Sequence, residues 1–236
     1  MLRMPKFEYY EPSGLEEAVS LLSQHQGEVS IVAGGTEQYV QMKQRIHTPR
    51  YLVSLKAIQG LDAVRYDEWE GLKVGPLVTL ERVESDPAVQ KNYPGLAQAA
   101  GAVASPAIRN VGTIGGNVCL DTRCWYYNQS HQWRKSLPPC YKRGGDICYV
   151  AKGGDHCYAL CMADTAPVLM ALNAELTLVS AEKKREVALK DFFTNNGEKV
   201  NNLEPGEILS EIRVPPVPLR TGSFYLKYAV RKSIDF

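Results

Sequence analysis

Apolar positions in the first fifty residues switch between a helical and an extended period. Leu15, Ala18, Val19 and Leu22 recur at helical spacing. Ser13-Gly14-Leu15-Glu16 ahead of them has the Ser-x-x-Glu form of a capping box, and Gly27 supplies a stop. Val29 to Ala33 is a short apolar run that predicts a strand. It opens into Gly34-Gly35-Thr36 and a second helical stretch from Glu37 to about Arg45, which Pro49 breaks. Tyr51 to Leu55 predicts another strand. Helix, strand, glycine loop, helix, strand is an α/β pattern, and it defines a small N-terminal lobe over residues 1–55.

From residue 56 to 236 the pattern changes to short paired strands and short helices. Ala63–Tyr66 and Leu72–Val78 flank a turn over Asp67–Gly71 and predict a hairpin. Short helices are expected near Leu80–Glu84 and Gly95–Val103. Val168, Leu169 and Leu172 mark an apolar helix before a strand at Glu175–Val179. Glu182-Lys-Lys-Arg-Glu186 predicts a solvated hairpin tip. Glu207–Pro215 and Ser223–Tyr228 predict two further strands. The fold class is therefore α+β: a small α/β lobe followed by a larger α+β lobe, with no internal repeat.

Residues 120–160 fit neither pattern. They are rich in Tyr, Trp, Arg, Gly and Cys and carry no sustained apolar period. So long a loop inside a compact domain must be ordered by something other than a hydrophobic core. All six cysteines (Cys119, Cys124, Cys140, Cys148, Cys157, Cys161) lie in or beside this stretch. Residues 1–8 contain no apolar signal region, so a cytoplasmic location is expected, and the cysteines point to metal or redox chemistry more than to disulfides. Twenty-seven basic against 26 acidic residues leave a formal charge of +1, which argues against nucleic acid as a partner. No run reaches the roughly 18 apolar residues of a membrane span.

Two glycine loops are candidate ligand sites. Ala33-Gly34-Gly35-Thr36 joins a strand to a helix, where paired glycines let backbone N–H groups approach a phosphate. Thr113-Ile114-Gly115-Gly116-Asn117 repeats the theme about 80 residues later. Together they could grip the two ends of an extended dinucleotide, although two unrelated tight turns would read alike. Neither is a Gly-x-Gly-x-x-Gly or a Gly-x-x-x-x-Gly-Lys sequence.

The pairing of Ala-Gly-Gly-Thr with Thr-Ile-Gly-Gly-Asn resembles the flavin-binding subunits and domains of the xanthine oxidase, or molybdenum hydroxylase, family. The likeness continues through Ala163-Asp164-Thr165, Glu204 to Pro215 and Lys227 to Asp235. It implies a two-lobed FAD-binding fold of the molybdopterin dehydrogenase type. By position it assigns the FAD pyrophosphate to Ile31, Val32, Ala33, Gly34, Gly35, Thr36 and Glu37. The second wall falls to Thr113, Gly115, Gly116 and Asn117, with Asp164 and Lys227 as polar contacts and Ile208 and Leu209 as apolar neighbours of the flavin ring.

The insertion at 120–160 resembles that of one branch, the β subunits of 4-hydroxybenzoyl-CoA reductases, through Asp121-Thr-Arg-Cys124, Tyr127-Asn-Gln-Ser130 and Trp133-Arg134. That branch implies a 4Fe-4S cluster on Cys124, Cys140, Cys148 and Cys157, whose spacing is C-x15-C-x7-C-x8-C. A four-thiolate zinc site is the rival, although its cysteines more often come as close pairs. Cys119 and Cys161 read as buried thiols, and His131 and His156 as surface or packing residues. The expected partners are a molybdopterin-binding large subunit, a small 2Fe-2S subunit and a ferredoxin-like electron carrier. An oxidising molybdenum hydroxylase using NAD or quinone is the alternative, and a zinc-stapled scaffold without redox function is another. Two departures stand out. Glu37 replaces the usual aspartate, and the family's C-terminal α/β region has no counterpart after Phe236. The chain is then a fragment, or that region lies on another polypeptide, and the assignment most affected is Lys227.

Overall fold

The computed structural model describes residues 3–231. Strand β1 (Glu8–Tyr10) and helix α1 (Leu15–Gln24) lead into β2 (Val29–Val32), α2 (Gln38–Lys43) and β3 (Tyr51–Ser54). The three strands form a parallel sheet in the order β1-β3-β2, and β1 is the element the apolar pattern misses. It is too short, and too exposed along Glu8 and Tyr9, to carry a periodic signal. Ala18, Val19 and Leu22 of α1 are buried as the spacing predicts. The capping box is not formed. Gly14 is the N-cap, so the acid one turn in is Glu17, whose carboxylate accepts from the Ser13 N–H at 3.0 Å in place of Glu16. Helix α2 ends well before Pro49, because Arg45 takes a left-handed φ of 58° and its N–H donates to Met42 O.

The second lobe opens with the hairpin β4 (Val64–Asp67) and β5 (Gly71–Val74). A run of short helices follows: α3 (Leu80–Ser85), α4 (Pro87–Asn92), α5 (Pro94–Gly101), α6 (Pro106–Arg109) and α7 (Ile114–Val118). Prolines at the first helical positions of α4, α5 and α6 set each start, since a proline there forfeits no intrahelical bond. The insertion contributes α8 (His131–Lys135) and a single tight turn at Tyr141–Arg143. The chain then passes through α9 (Thr165–Ala171), β6 (Glu175–Val179), β7 (Lys184–Ala188), α10 (Leu189–Phe192) and β8 (Ile208–Val214). The five later strands make an antiparallel sheet in the order β4-β5-β8-β6-β7. One face packs Leu72, Val74, Leu176, Leu178, Ile212 and Val214 against Leu96, Ile114, Leu169 and Phe192 of the helices. Ile208, at the start of β8, joins a separate core with Val19, Leu22, Val53 and Ile58 of the first lobe. The two lobes thus share a strand.

Two other expectations are corrected. The hairpin tip is only residues 180–183, and Arg185 is not solvated there. Its guanidinium holds Glu207 through 2.6 and 2.8 Å bonds, with the Glu207 side chain 1% exposed. Ser223–Tyr228 is extended but pairs with no strand among the described residues. It is pinned by side chains instead. The Ser223 hydroxyl accepts from Gly95 N, Gln98 accepts from Tyr225 N, and Asp164 accepts from the Tyr225 hydroxyl, while Phe224, Leu226 and Tyr228 face solvent. The stretch of the resemblance that runs on through Ser233, Ile234 and Asp235 lies outside the described residues.

The lobes meet where the two glycine loops touch. A Cβ on Gly34 would overlap the carbonyl oxygen of Val111, and one on Gly112 would come to 3.6 Å from the Thr36 hydroxyl. Gly34→Ala is therefore expected to lower the unfolding free energy by about 1–3 kcal/mol, as overpacking does. Denaturant melts read this directly, and an unchanged midpoint would show that the loops can part at no cost. Burial raises the Glu207 carboxyl, but Arg185 and the Glu204 N–H outweigh it and hold the group below its ordinary value. Its stabilisation is then full above about pH 4.3 and fades as pH falls through the lower folded-state value. Glu207→Gln should cost about 1.5–3 kcal/mol at pH 7, with the gap from the unsubstituted chain closing in acid. A gap independent of pH would contradict the pairing.

Candidate functional site

The first glycine loop leaves the end of β2, where Ile31 and Val32 are held in the parallel ladder opposite Val53 and Ser54. Ala33 to Thr36 then turn away from the sheet. Gly35 has a φ of 74°, and a side chain on it would run into the Tyr39 ring, so glycine is required there twice over. No side chain caps α2, whose Tyr39 and Gln41 N–H groups donate back to Gly35 O and Glu37 O. Glu37, at that N-terminus, receives Gln41 Nε2 at 2.7 Å and the guanidinium of Arg123.

The second loop is built around a cap. The Thr113 hydroxyl accepts from Gly116 N at 3.1 Å and starts α7. Gly115 lies so close under Pro76 that a Cβ would overlap it, and its N–H donates to Pro76 O at 3.0 Å. Asn117 is buried, and its carbonyl oxygen accepts from Thr165 N and from the Thr165 hydroxyl at 2.7 Å. That bond ties α7 to the start of α9, where Asp164 is the N-cap residue. Asp164 in turn pairs with Lys227 at 3.0 Å and accepts from the Tyr225 hydroxyl at 2.6 Å. Burial and the Asp164 carboxylate both raise the Tyr225 phenol.

Residues assigned from far-apart segments are thus brought together. Ile31–Glu37 meets the second loop through Gly34 and Val111, and the second loop meets Asp164 and Lys227 through Asn117 and Thr165. Ile208 lies in the core of the first lobe and Leu209 in that of the second, the latter no more enclosed than Thr113 and Asn117. Tyr225, which fixes Asp164, is absent from the sequence assignment, because only its fold neighbour gives it a role.

The insertion gathers its cysteines. Cys124, Cys140, Cys148 and Cys157 line one concavity with Tyr126, Tyr127, Tyr141 and Lys142, a space of about 300 Å³ including its mouth. Cys119 and Cys161 are not on it. Among the described residues no three His, Cys, Asp or Glu side chains stand close enough to hold a single metal ion. Burial pushes the Cys148 thiol up, but N–H groups of Ala151, Tyr158 and Val150 prevail and hold it below its ordinary value. Desolvation raises Cys119 to about 12 and also raises Cys161, although Cys119 is only half-buried and Cys161, expected to be buried, is exposed. Cys157 is raised by burial too, against the pull of the Ala159 N–H and the Lys142 ammonium. His156 stacks on Tyr158 with ring centroids 4.0 Å apart and bonds Asp155, and neither it nor His131 reaches the concavity.

Lys142, which the sequence reading did not single out, is the hub of this region. Its ammonium reaches Asp121 at 2.7 Å, the Thr122 hydroxyl and Gly197 O at 3.0 Å, and lies 5.2 Å from the Tyr127 ring. Burial raises the Asp121 carboxyl, but His47, Lys142 and the Thr122 N–H together bring it below its ordinary value.

Comparison with known proteins accounts for the paired loops. Residues 5–217 match the family model described as the FAD binding domain in molybdopterin dehydrogenase. The chain is 31% identical over 233 residues to the carbon monoxide dehydrogenase medium chain of Hydrogenophaga pseudoflava, covering 98% of this chain and 66% of that one. It is 29% identical to the nicotinate dehydrogenase FAD-subunit of Eubacterium barkeri, again over 98% of this chain and 66% of the relative. Against the aldehyde oxidoreductase FAD-binding subunit PaoB of Escherichia coli the identity is 30%, over 96% and 74%. The chain therefore spans about two-thirds of the length of these relatives. The solved carbon monoxide dehydrogenase of H. pseudoflava superposes with a TM-score of 0.76 at 27% identity, covering 99% of this chain and 67% of that one. With the glycine loops, the α+β architecture and the match all in register, the chain belongs to the family of FAD-binding domains of molybdopterin dehydrogenases.

Proposed function

We propose that this chain is the flavin-holding, electron-relaying part of a molybdenum hydroxylase-type oxidoreductase. The observation that carries this reading is the contact of the two glycine loops, which offers one continuous wall from Ile31–Glu37 through Thr113–Asn117 to Asp164 and Lys227. Bound FAD would supply an electron carrier that trades electrons singly or in pairs. The chain's own residues would bind and orient it. The loop N–H groups and Thr36 would meet the pyrophosphate, while the Asp164–Lys227 pair would set the polarity at the far end. Substrate chemistry would belong to a molybdopterin-binding large subunit, reached through a small 2Fe-2S subunit.

The cysteine concavity favours a finer reading, the 4-hydroxybenzoyl-CoA reductase type. What supports it is that Cys124, Cys140, Cys148 and Cys157 line one concavity, and four thiolates are the ligand set that a 4Fe-4S cluster takes. The N–H groups aimed at Cys148 suit a charged sulfur. A 4Fe-4S cluster there would pass single electrons, matching a ferredoxin-like carrier better than NAD. The oxidising alternative, with NAD or a quinone as acceptor, has its support in the carbon monoxide, nicotinate and aldehyde relatives.

Anaerobic purification followed by flavin, iron, sulfide and zinc assays separates these readings. FAD with about four irons and four sulfides per chain is the expected result. FAD alone would leave the oxidising hydroxylase, and one zinc without sulfide would reduce the insertion to a staple. Cys148→Ser should lose most of the iron and sulfide, whereas Cys161→Ser should retain both. Equal loss from the two would mean that the concavity is not the site.

A further inference from the structure

The insertion grips the flavin loop from behind. At the front end of α2, Arg123 holds Glu37, the last residue of the first glycine loop. At the back end, Arg134 donates to Gln44 O at 3.2 Å and Arg45 O at 2.7 Å, the carbonyls that close the helix. Just beyond, His47 stands 4.0 Å from Asp121. Arg134 is only 5% exposed, and it is tied into the insertion by its own bond to Gln129 O and by Arg143, which donates to Arg134 O. Helix α2 is two turns long and buries only Gln41 and Met42. Met42 packs it against Val32 and Leu52, and the two arginines hold its two ends.

From this we infer that Arg134, with Arg123, is a positioning residue for the flavin pyrophosphate loop, and that the cysteine concavity and the flavin site are thermodynamically linked through α2. The insertion joins none of the large apolar clusters, so whatever its four cysteines hold adds to the Lys142 network in placing Arg123 and Arg134. Emptying the concavity loosens both ends of α2 and with them Gly34 to Glu37. Linkage is reciprocal, so flavin also steadies the insertion. The second half rests on the cluster reading above; the first does not, since it needs only the two arginines and α2.

The test uses the purified holoprotein with the subunits that accompany it. FAD affinity is measured by fluorescence before and after the iron is stripped with ferricyanide and EDTA, in the natural chain and in Arg134→Met. Stripping should weaken FAD binding in the natural chain by about tenfold, a usual size for coupling between sites. Arg134→Met should weaken it by a similar factor with iron and sulfide retained, and stripping should then add little further. A purely structural role for Arg134 would leave the two effects additive and overturn the linkage. Hydrogen exchange over Gln38–Lys43 in the stripped natural chain gives a check that no variant can spoil: faster exchange is expected, and unchanged exchange with unchanged affinity defeats the inference. Should this chain, separated from the small 2Fe-2S subunit, contain no iron or sulfide, the cluster reading fails by itself. The affinity of Arg134→Met for FAD then decides the positioning role alone, and an affinity equal to the natural chain's would reject it.

Discussion

The contact between Gly34 and the Val111–Gly112 backbone is the constraint on which the site depends. Two loops from different lobes can share one wall only if neither carries a side chain at the crossing. Once they touch, the other placements follow in sequence. Thr113 caps α7, the helix carries Asn117 to Thr165, and α9 begins at Asp164. Backbone-to-backbone proximity of this kind leaves nothing to repack, so the cost of a methyl group there is borne by the lobes themselves. Ile208 adds the hydrophobic counterpart, a β8 residue buried in the first lobe's core, which resists the lobes' separation along the other edge.

The insertion follows a different physical rule. It joins none of the large apolar clusters, and ions and carbonyls order it together with the packed rings of Tyr126, Trp133 and Tyr149. Lys142 joins Asp121, Thr122 and Gly197, and the Gly197 N–H returns to Cys157 O at 3.0 Å. An ammonium withdrawn from water is costly unless its donors are met, and here three acceptors and a tyrosine face meet it. Such a network is sensitive to the loss of any one member, whereas the sheet core tolerates small changes in volume. The four cysteines of the concavity are therefore placed by parts that are individually weak.

Legibility in the sequence divided along the same line. Elements with an apolar stripe, such as α1, β2, β3, β6 and β8, could be read because burial imposes their period. The glycine loops could be read because a left-handed or crowded backbone position admits little else. Strand β1 could not, since Glu8 and Tyr9 face outward and its partner is 43 residues away at Tyr51. Ser223–Tyr228 misled because alternation of apolar residues signals an extended chain, not a partner for it. Arg185 misled because a charge run reads as solvent-facing until Glu207, distant in sequence, is placed beside one of its members. The same holds for Lys142 and Tyr225, whose roles exist only through contacts that cross the fold.

Glu37 and the cysteine-bearing segment touch each other. An aspartate at position 37 would carry its carboxylate one methylene closer to the backbone. Glu37 reaches outward to the guanidinium of Arg123, a residue of the insertion, while also taking Gln41 from its own helix. The longer acid is thus a bridge between the first glycine loop and the cysteine-bearing segment.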